Sequence, residues 1–135
     1  MRVYGLDDKQ YIWNLTGASP DRPLSGPHLA VRDFLKELYP IDPIIEELTL
    51  PGTKGLRVDF FLPRRNLIVE IHGRQHFEFV SHFHSDRFGF ANSLVRDNKK
   101  RSFANINEIT LVELKEDETH EQWRRAIIKA MGRIS

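Results

Sequence analysis

Two short apolar segments separated by a tight turn constrain this chain more than any other feature of its sequence. Residues 56–62 read LRVDFFL, residues 67–72 read LIVEIH, and Pro-Arg-Arg-Asn lies between them. Alternating side chains and β-branched residues predict a strand for each segment, and a turn of this length joins antiparallel neighbours. The sequence therefore predicts a β-hairpin at the centre of the fold.

Three ionisable side chains lie on these two strands. Glu70 and His72 share one face of the return strand, because strand side chains alternate with period two. Hairpin pairing places Asp59 near Glu70, where Gly73 ends the second strand. Two carboxylates repel unless a cation lies between them, and Mg²⁺ prefers one or two carboxylates together with water and phosphate. A metal site is one interpretation of this pattern, and the solvated side of an edge strand is the other.

The remaining segments predict a complete α/β (α+β) fold. In chain order they read as a helix over 25–39, a strand over 44–50, a helix over 86–105, a strand over 109–114 and a helix from 119 onward. Ser25 is a good N-cap for the first helix, and Thr119-x-x-Gln122 is a capping box for the last. We expect the order α-β-β-β-α-β-α, with a mixed four-stranded sheet flanked by helices. The first three strands are antiparallel and the fourth follows a crossover helix.

Length and composition favour a single domain with an extension. Residues 1–24 read as an N-terminal extension with a small hairpin, and residues 25–135 as one domain. The aromatic residues of the extension pack on the core or stack on bases, and packing is favoured. The absence of cysteine excludes disulfides and cysteine nucleophiles, and no apolar run reaches the length of a membrane span. We expect a soluble cytoplasmic protein.

Basic residues concentrate around the hairpin and on the second predicted helix. The formal net charge of +1 hides this, since residues 108–121 hold six acidic residues against one lysine. On the second helix one face, the predicted buried stripe, carries Phe90, Leu94, Asp97, Arg101 and Ala104. Asp97 can pair within the helix with Lys100 or Arg101, or one of these two cations can reach over the sheet to the carboxylates.

The hairpin resembles a nuclease signature. Asp59, then Glu70 eleven positions on, then one residue and His72, is similar to the PD-(D/E)XK motif. The run DFFLPRRNLIVEIHGRQHF resembles in particular the branch related to the very-short-patch-repair endonucleases, and the order of elements matches from residue 25 to the C-terminus. Val58 stands where the motif has proline, and His72 where it has lysine.

The resemblance implies a restriction-endonuclease-like fold and a Mg²⁺- or Mn²⁺-dependent endonuclease acting on DNA. Asp59, Glu70 and the backbone carbonyl of Ile71 would hold the metal. His72, or after it His76, would be the general base. Such small stand-alone nucleases suggest a bacteriophage or mobile-element protein, and the oligomeric state, monomer or homodimer, is left open.

Further roles come from the same resemblance. Lys100 or Arg101 would stabilise charge in the transition state, as some of these nucleases carry their lysine on the helix after the motif. His28 occupies about the place from which the first helix lends an acidic residue, although a lone inward histidine is also a common capped core residue. The concentration of basic residues around the hairpin, and not the resemblance, predicts which residues would contact the nucleic-acid backbone: Arg64, Arg65, Arg74, Arg96 and Arg101.

Three other interpretations stay open. The missing motif lysine favours a nucleic-acid-binding module on an inactive nuclease fold. The acidic segment 108–121 favours an accessory protein that binds a partner. Finally, a zinc site is suggested by four histidines: His72, His76, His82 and His84.

Overall fold

A computed structural model describes residues 1–15, 24–73 and 87–132 of the chain, and only the backbone of residues 87–90. Within those ranges the elements are β1 (Arg2–Tyr4), β2 (Gln10–Ile12), α1 (Gly26–Leu38), β3 (Ile45–Thr49), β4 (Arg57–Leu62), β5 (Leu67–His72), α2 (Arg87–Ile106), β6 (Thr110–Lys115) and α3 (His120–Met131). From α1 onward their order is the predicted α-β-β-β-α-β-α. The α+β fold is therefore confirmed.

The central sheet has the predicted mixed topology. Its strand order is β3-β4-β5-β6, in which β3, β4 and β5 are antiparallel neighbours and β6 is parallel to β5. Helix α2 makes the crossover that a parallel pair requires. Because Phe60 pairs with Val69, the same register places Asp59 opposite Glu70 at the next position.

Both faces of the sheet are covered. On one face Phe60 and Val69 pack with residues of α1 and α3, including Leu35 and Ile127. On the other face, residues of β4 and β5 pack with α2 and with the N-terminal hairpin. Both faces of the central strands are thus apolar, which explains their nearly continuous hydrophobic sequence.

The N-terminal residues form an antiparallel hairpin, β1–β2. Its Trp13 is buried, stacks on Phe61 at 4.7 Å between ring centroids, and donates from Nε1 to the carbonyl of Thr49 at 2.9 Å. Trp13 therefore packs on the core, as expected, whereas Tyr4 is half exposed. The division of the chain into domains at residue 24 stays a prediction.

Both predicted helix caps are present. The Ser25 hydroxyl accepts a hydrogen bond from the His28 amide at 3.2 Å. Thr119 and Gln122 form a reciprocal capping box at the start of α3. An N-cap of this kind contributes about 1 kcal/mol to helix stability.

The predicted buried face of α2 is partly wrong. Asp97 and Ala104 are buried as expected, but Leu94 is 38% exposed and the side chain of Arg101 is 45% exposed. Burial of the described α2 side chains is concentrated in its C-terminal half, where Phe103 and Ala104 meet the sheet. The spacing therefore misassigned Leu94 in the N-terminal half of α2 and Arg101 in its C-terminal half.

Candidate active site

Strands β4 and β5 separate at Asp59 and Glu70. Here side chains replace the regular ladder: Glu70 Oε2 accepts a hydrogen bond from the Asp59 amide at 2.8 Å, and Asp59 Oδ2 accepts one from the Ile71 amide at 2.8 Å. Each carboxylate is thus fixed by the backbone of the opposite strand. The two acids lie together, as the hairpin predicts, at a fork in the sheet.

Helix α2 supplies a cation to this fork. Lys100 Nζ donates to Glu70 Oε1 at 2.7 Å, and the side chains are 19% and 5% exposed respectively. Of the two helix cations considered from the sequence, the structure therefore brings Lys100 to the carboxylates. Arg101 instead pairs with Glu113 on β6, with Nη2 2.8 Å from Oε2.

The environment of Glu70 opposes its ionisation. Burial raises the pKa of the Glu70 carboxyl to about 8, the charge of Asp59 acts in the same direction, and Lys100 acts against both. A carboxylate in such a place needs its cation, because an unpaired buried charge is costly. The Lys100 contact is the compensation that the structure provides.

A second group of potential ligands adjoins Asp59. The ligand atoms of His28, Glu47 and Asp59 all lie within 4.8 Å of one another. His28 is buried, and the two acids are half-buried. The three side chains come from α1, β3 and β4, so the tertiary fold is needed to assemble them.

Glu47 is the residue of this group that sequence reasoning missed. The register of β3 on β4, with Glu46 opposite Phe60 and Leu48 opposite Val58, places Glu47 opposite Asp59. Glu47 has a φ of +53°, which interrupts the regular alternation of β3. The adjacent Glu46-Glu47 pair, antiparallel to a strand that carries Asp59, was the available signal.

The ring of His28 is held from two sides. Its Nε2 lies 2.8 Å from Glu46 Oε1, which also accepts a hydrogen bond from Arg32 Nε at 2.8 Å. The ring stacks on Phe60 with 4.5 Å between ring centroids. Burial works to raise the pKa of the Glu46 carboxyl, but the hydrogen bonds from Arg32 and His28 outweigh it, and that pKa is lowered. Glu46 is therefore an ionised carboxylate that fixes the imidazole.

The donor set fits a divalent cation. Ligands at about 2.0–2.1 Å from an octahedral ion are roughly 3–4 Å apart, so small side-chain movements suffice to close the group of His28, Glu47 and Asp59. Carboxylates suit Mg²⁺ and Mn²⁺, whereas an imidazole favours a transition metal. The group differs from the ligands implied by resemblance. It does not include Glu70. The backbone contact of Ile71 with this site is a hydrogen bond that its amide donates to Asp59.

His72 lies at the same end of the sheet, and its side chain is next to Glu113 of β6. It is 4% exposed, and its Nδ1 lies 3.4 Å from Glu113 Oε2. His76 and Arg74 lie outside the described residues, as do His82 and His84, and with them the zinc interpretation.

Two of the predicted DNA-contacting arginines are far from the carboxylates along their strands. Arg64 and Arg65 lie in the β4–β5 turn, at the opposite end of both strands from Asp59 and Glu70. Arg65 donates to Asp42 at 2.6 Å and lies 4.4 Å over the Tyr39 ring.

On α2, Arg96 is exposed and donates to Ser93 at 3.2 Å. Of the described basic residues predicted as site residues, Lys100 is the one that contacts the carboxylate cluster, which consists of Asp59 and Glu70.

Comparison with known proteins finds relatives in two invertebrate viruses. The chain is 40% identical over 63 residues to "Uncharacterized protein 307L" of Invertebrate iridescent virus 6, a match that covers 47% of this chain and 32% of that protein. It is 36% identical over 60 residues to "Uncharacterized protein 033L" of Invertebrate iridescent virus 3, covering 44% and 31% respectively. The chain thus spans about a third of the length of the relatives it matches.

Comparisons with family models and with solved structures add no further relatives. No family model matches the sequence, and no solved structure matches it. In the described ranges, no helix combines the length and the apolar character needed to cross a bilayer.

Proposed function

We propose that this chain is a divalent-metal-dependent endonuclease that hydrolyses phosphodiester bonds in DNA. The observation that carries the proposal is the meeting of Asp59, Glu70 and Lys100 where β4 and β5 separate. An acid on one strand, an acid on the next and a nearby lysine are the groups of the PD-(D/E)XK signature that the hairpin resembles. Here the lysine comes from α2 instead of from position 72.

The metal would be held beside this cluster. His28, Glu47 and Asp59 supply one nitrogen and two carboxylates, and their orientation is maintained by Glu46 and by the Ile71 amide. A bound divalent ion neutralises a phosphate and lowers the pKa of a coordinated water. Because an imidazole takes part, we expect Mn²⁺ to bind more tightly than Mg²⁺.

The chain's own groups would place the substrate and move the proton. Lys100 holds a positive charge at the fork, where it can contact a phosphate oxygen and stabilise developing charge. His72 is the proposed general base, since it follows Glu70 by two positions on the same strand. The carboxylate of Glu113, 3.4 Å from His72 Nδ1, orients the ring as a positioning residue.

Plasmid cleavage tests this proposal. The purified protein should nick or cut a supercoiled plasmid with Mn²⁺ or Mg²⁺, and excess EDTA should stop it. Asp59→Asn and Glu47→Gln should each abolish cleavage, whereas Asp33→Asn, which neutralises an exposed acid on α1, should cut like the parent. Undiminished cutting by Asp59→Asn and Glu47→Gln, or no cutting by the parent with either metal, rejects the proposal.

A second candidate is a nucleic-acid-binding module without catalysis. The observation that favours it is that both Glu70 oxygens are engaged, one by Lys100 and one by the Asp59 amide. An ion pair of this kind can serve stability and fold specificity instead of chemistry. This candidate predicts a gel shift that persists in EDTA, together with intact DNA at every metal concentration.

A further inference from the structure

A cavity of about 480 Å³ opens on the α2 side of the sheet. It lies between the N-terminal hairpin, the β3–β4 turn and α2, and none of the proposed catalytic groups lines it. Its walls include the side chains of Leu6, Tyr11, Lys54 and Lys99. The volume falls in the range of ligand sites, about 300–1,000 Å³. A cavity of this volume is large enough for a unit of nucleotide size.

The aromatic wall of this cavity is rigid. The Tyr11 hydroxyl donates to Asp7 Oδ2, while Asp7 Oδ1 accepts the Lys9 amide at 3.1 Å. A Cβ atom added to Gly52 would lie 2.6 Å from Gly5 Cα and 2.8 Å from Tyr11 Cε2. The hairpin and the β3–β4 turn therefore touch backbone to backbone, and the ring is fixed against them. A fixed ring loses little entropy when a ligand stacks on it.

Two cations line the same cavity as the Tyr11 ring. Lys54 lies in the β3–β4 turn and Lys99 on α2, and both are exposed. The Asp7 carboxylate also lines the cavity, but its oxygens accept hydrogen bonds from Tyr11 and the Lys9 amide. Cations that follow a phosphate backbone, next to an aromatic ring that stacks on a base, are the combination by which proteins bind single-stranded nucleic acid.

The cavity is also near the candidate active site along the chain. Lys54 precedes Asp59 by five residues, a distance of at most about 18 Å. Lys99 directly precedes Lys100, which contacts Glu70. A strand held in the cavity can therefore reach the carboxylate cluster within a few nucleotides.

We propose that this cavity is a subsite for one nucleotide of a single DNA strand. The base lies against Tyr11 and Leu6, and the flanking phosphates contact Lys54 and Lys99. This inference rests on the proposed function for the identity of the ligand, but it concerns binding and not cleavage. It assigns substrate recognition to the N-terminal hairpin and the β3–β4 turn.

Binding of a labelled oligonucleotide in EDTA tests the lysines. The probe is a fluorescein-labelled 15-nucleotide oligothymidylate, followed by fluorescence anisotropy over a range of salt concentrations. The double variant Lys54→Gln, Lys99→Gln should bind more weakly, and the slope of log K against log salt should fall by about 1.4. The matched control is Lys36→Gln, Lys129→Gln, which removes two exposed lysines from α1 and α3 on the other face of the sheet.

The ring is tested separately. Tyr11→Leu should lose roughly fivefold or more in affinity, since stacking on an aromatic side chain is lost. Tyr11→Phe keeps the ring and should bind within about twofold of the parent. If Tyr11→Leu does not fold, the two exposed lysines decide the matter, because their replacement leaves the core untouched. An unlabelled 15-base-pair duplex should compete poorly with the single strand.

The outcomes separate this inference from the proposed function. Unchanged binding by Lys54→Gln, Lys99→Gln overturns the subsite, while plasmid cleavage by the parent still supports the nuclease. Lysine-dependent binding without any cleavage upholds the subsite and rejects the nuclease. No binding of the probe by the parent protein overturns the subsite, whatever the plasmid assay gives.

Discussion

Lys100 Nζ lies 2.7 Å from Glu70 Oε1 and joins helix α2 to the point where β4 and β5 separate. Asp59 and Glu70 are neighbours at this point, and their carboxylates repel each other when both are ionised. The positive charge of Lys100 offsets that repulsion. The contact also holds a cation beside Asp59 and Glu70, the two acids of the proposed active site. Stability and catalysis are therefore expected to depend on the same pair.

Replacing Lys100 by Met should affect both properties. The variant removes the hydrogen bond and the positive charge that the buried Glu70 carboxyl receives from Lys100, so the free energy of unfolding should fall by about 1–3 kcal/mol. Urea unfolding at pH 8 should show this loss, together with a fall in plasmid cleavage of about a hundredfold or more. Lys99→Met, at the adjacent exposed position, should change the free energy of unfolding by less than about 0.5 kcal/mol. Equal stabilities for the two variants would contradict a structural role for the pair.

The pH dependence of unfolding should report the ionisation of Glu70. The pKa of this carboxyl is about 8 in the folded chain, against an ordinary value of 4.5. Because the folded-state pKa is raised, the protonated carboxyl supports folding below pH 4.5, and that contribution is lost as the pH rises through about 8. In EDTA, the parent should therefore lose stability relative to Glu70→Gln across this window. A constant difference between the two proteins would show that Glu70 does not titrate there.

Metal binding should be visible without any substrate. Mn²⁺ at a hundredfold excess over Kd should stabilise the folded protein by about 2.7 kcal/mol, seen as a rise in Tm. Mg²⁺ at the same concentration should give a smaller rise, since the imidazole of His28 favours the transition metal. Glu47→Gln and Asp59→Asn should lose most of the effect, and Asp33→Asn should keep it. A full Mn²⁺ shift in Glu47→Gln would remove that residue from the site.

His72→Gln should separate catalysis from metal binding. Loss of the proposed base predicts a fall in cleavage rate of about 10²–10⁴-fold. The Mn²⁺-dependent rise in Tm should remain, because His72 lies outside the group of His28, Glu47 and Asp59. His120→Gln, an exposed histidine at the start of α3, is the control and should cut normally. Normal cutting by His72→Gln would require another base.

Local sequence patterns were sufficient to predict the helices and strands of the main fold and the proximity of Asp59 to Glu70. Alternation defined β4 and β5, the turn defined their pairing, and that register alone places Asp59 opposite Glu70. The caps at Ser25 and Thr119 depend on residues three positions away, so they too were readable from the sequence. Sequence spacing suffices when the interacting groups belong to one element or to one hairpin.

The other contacts of the site depend on how separate helices and strands are rotated and packed against one another. Lys100 and Arg101 differ by about 100° around α2, and only the docking of that helix sends Lys100 to Glu70 and Arg101 to Glu113. Glu47 joins Asp59 through the pairing of β3 with β4 and the positive φ of Glu47 itself.

The sequence by itself thus determined the strand acids, the order of elements and the need for a cation. Only the tertiary structure decided which lysine meets Glu70 and which side chains adjoin Asp59. The physical reason is that periodicity specifies a face within one element, whereas contact between elements depends on helix rotation, strand twist and packing that no local pattern encodes.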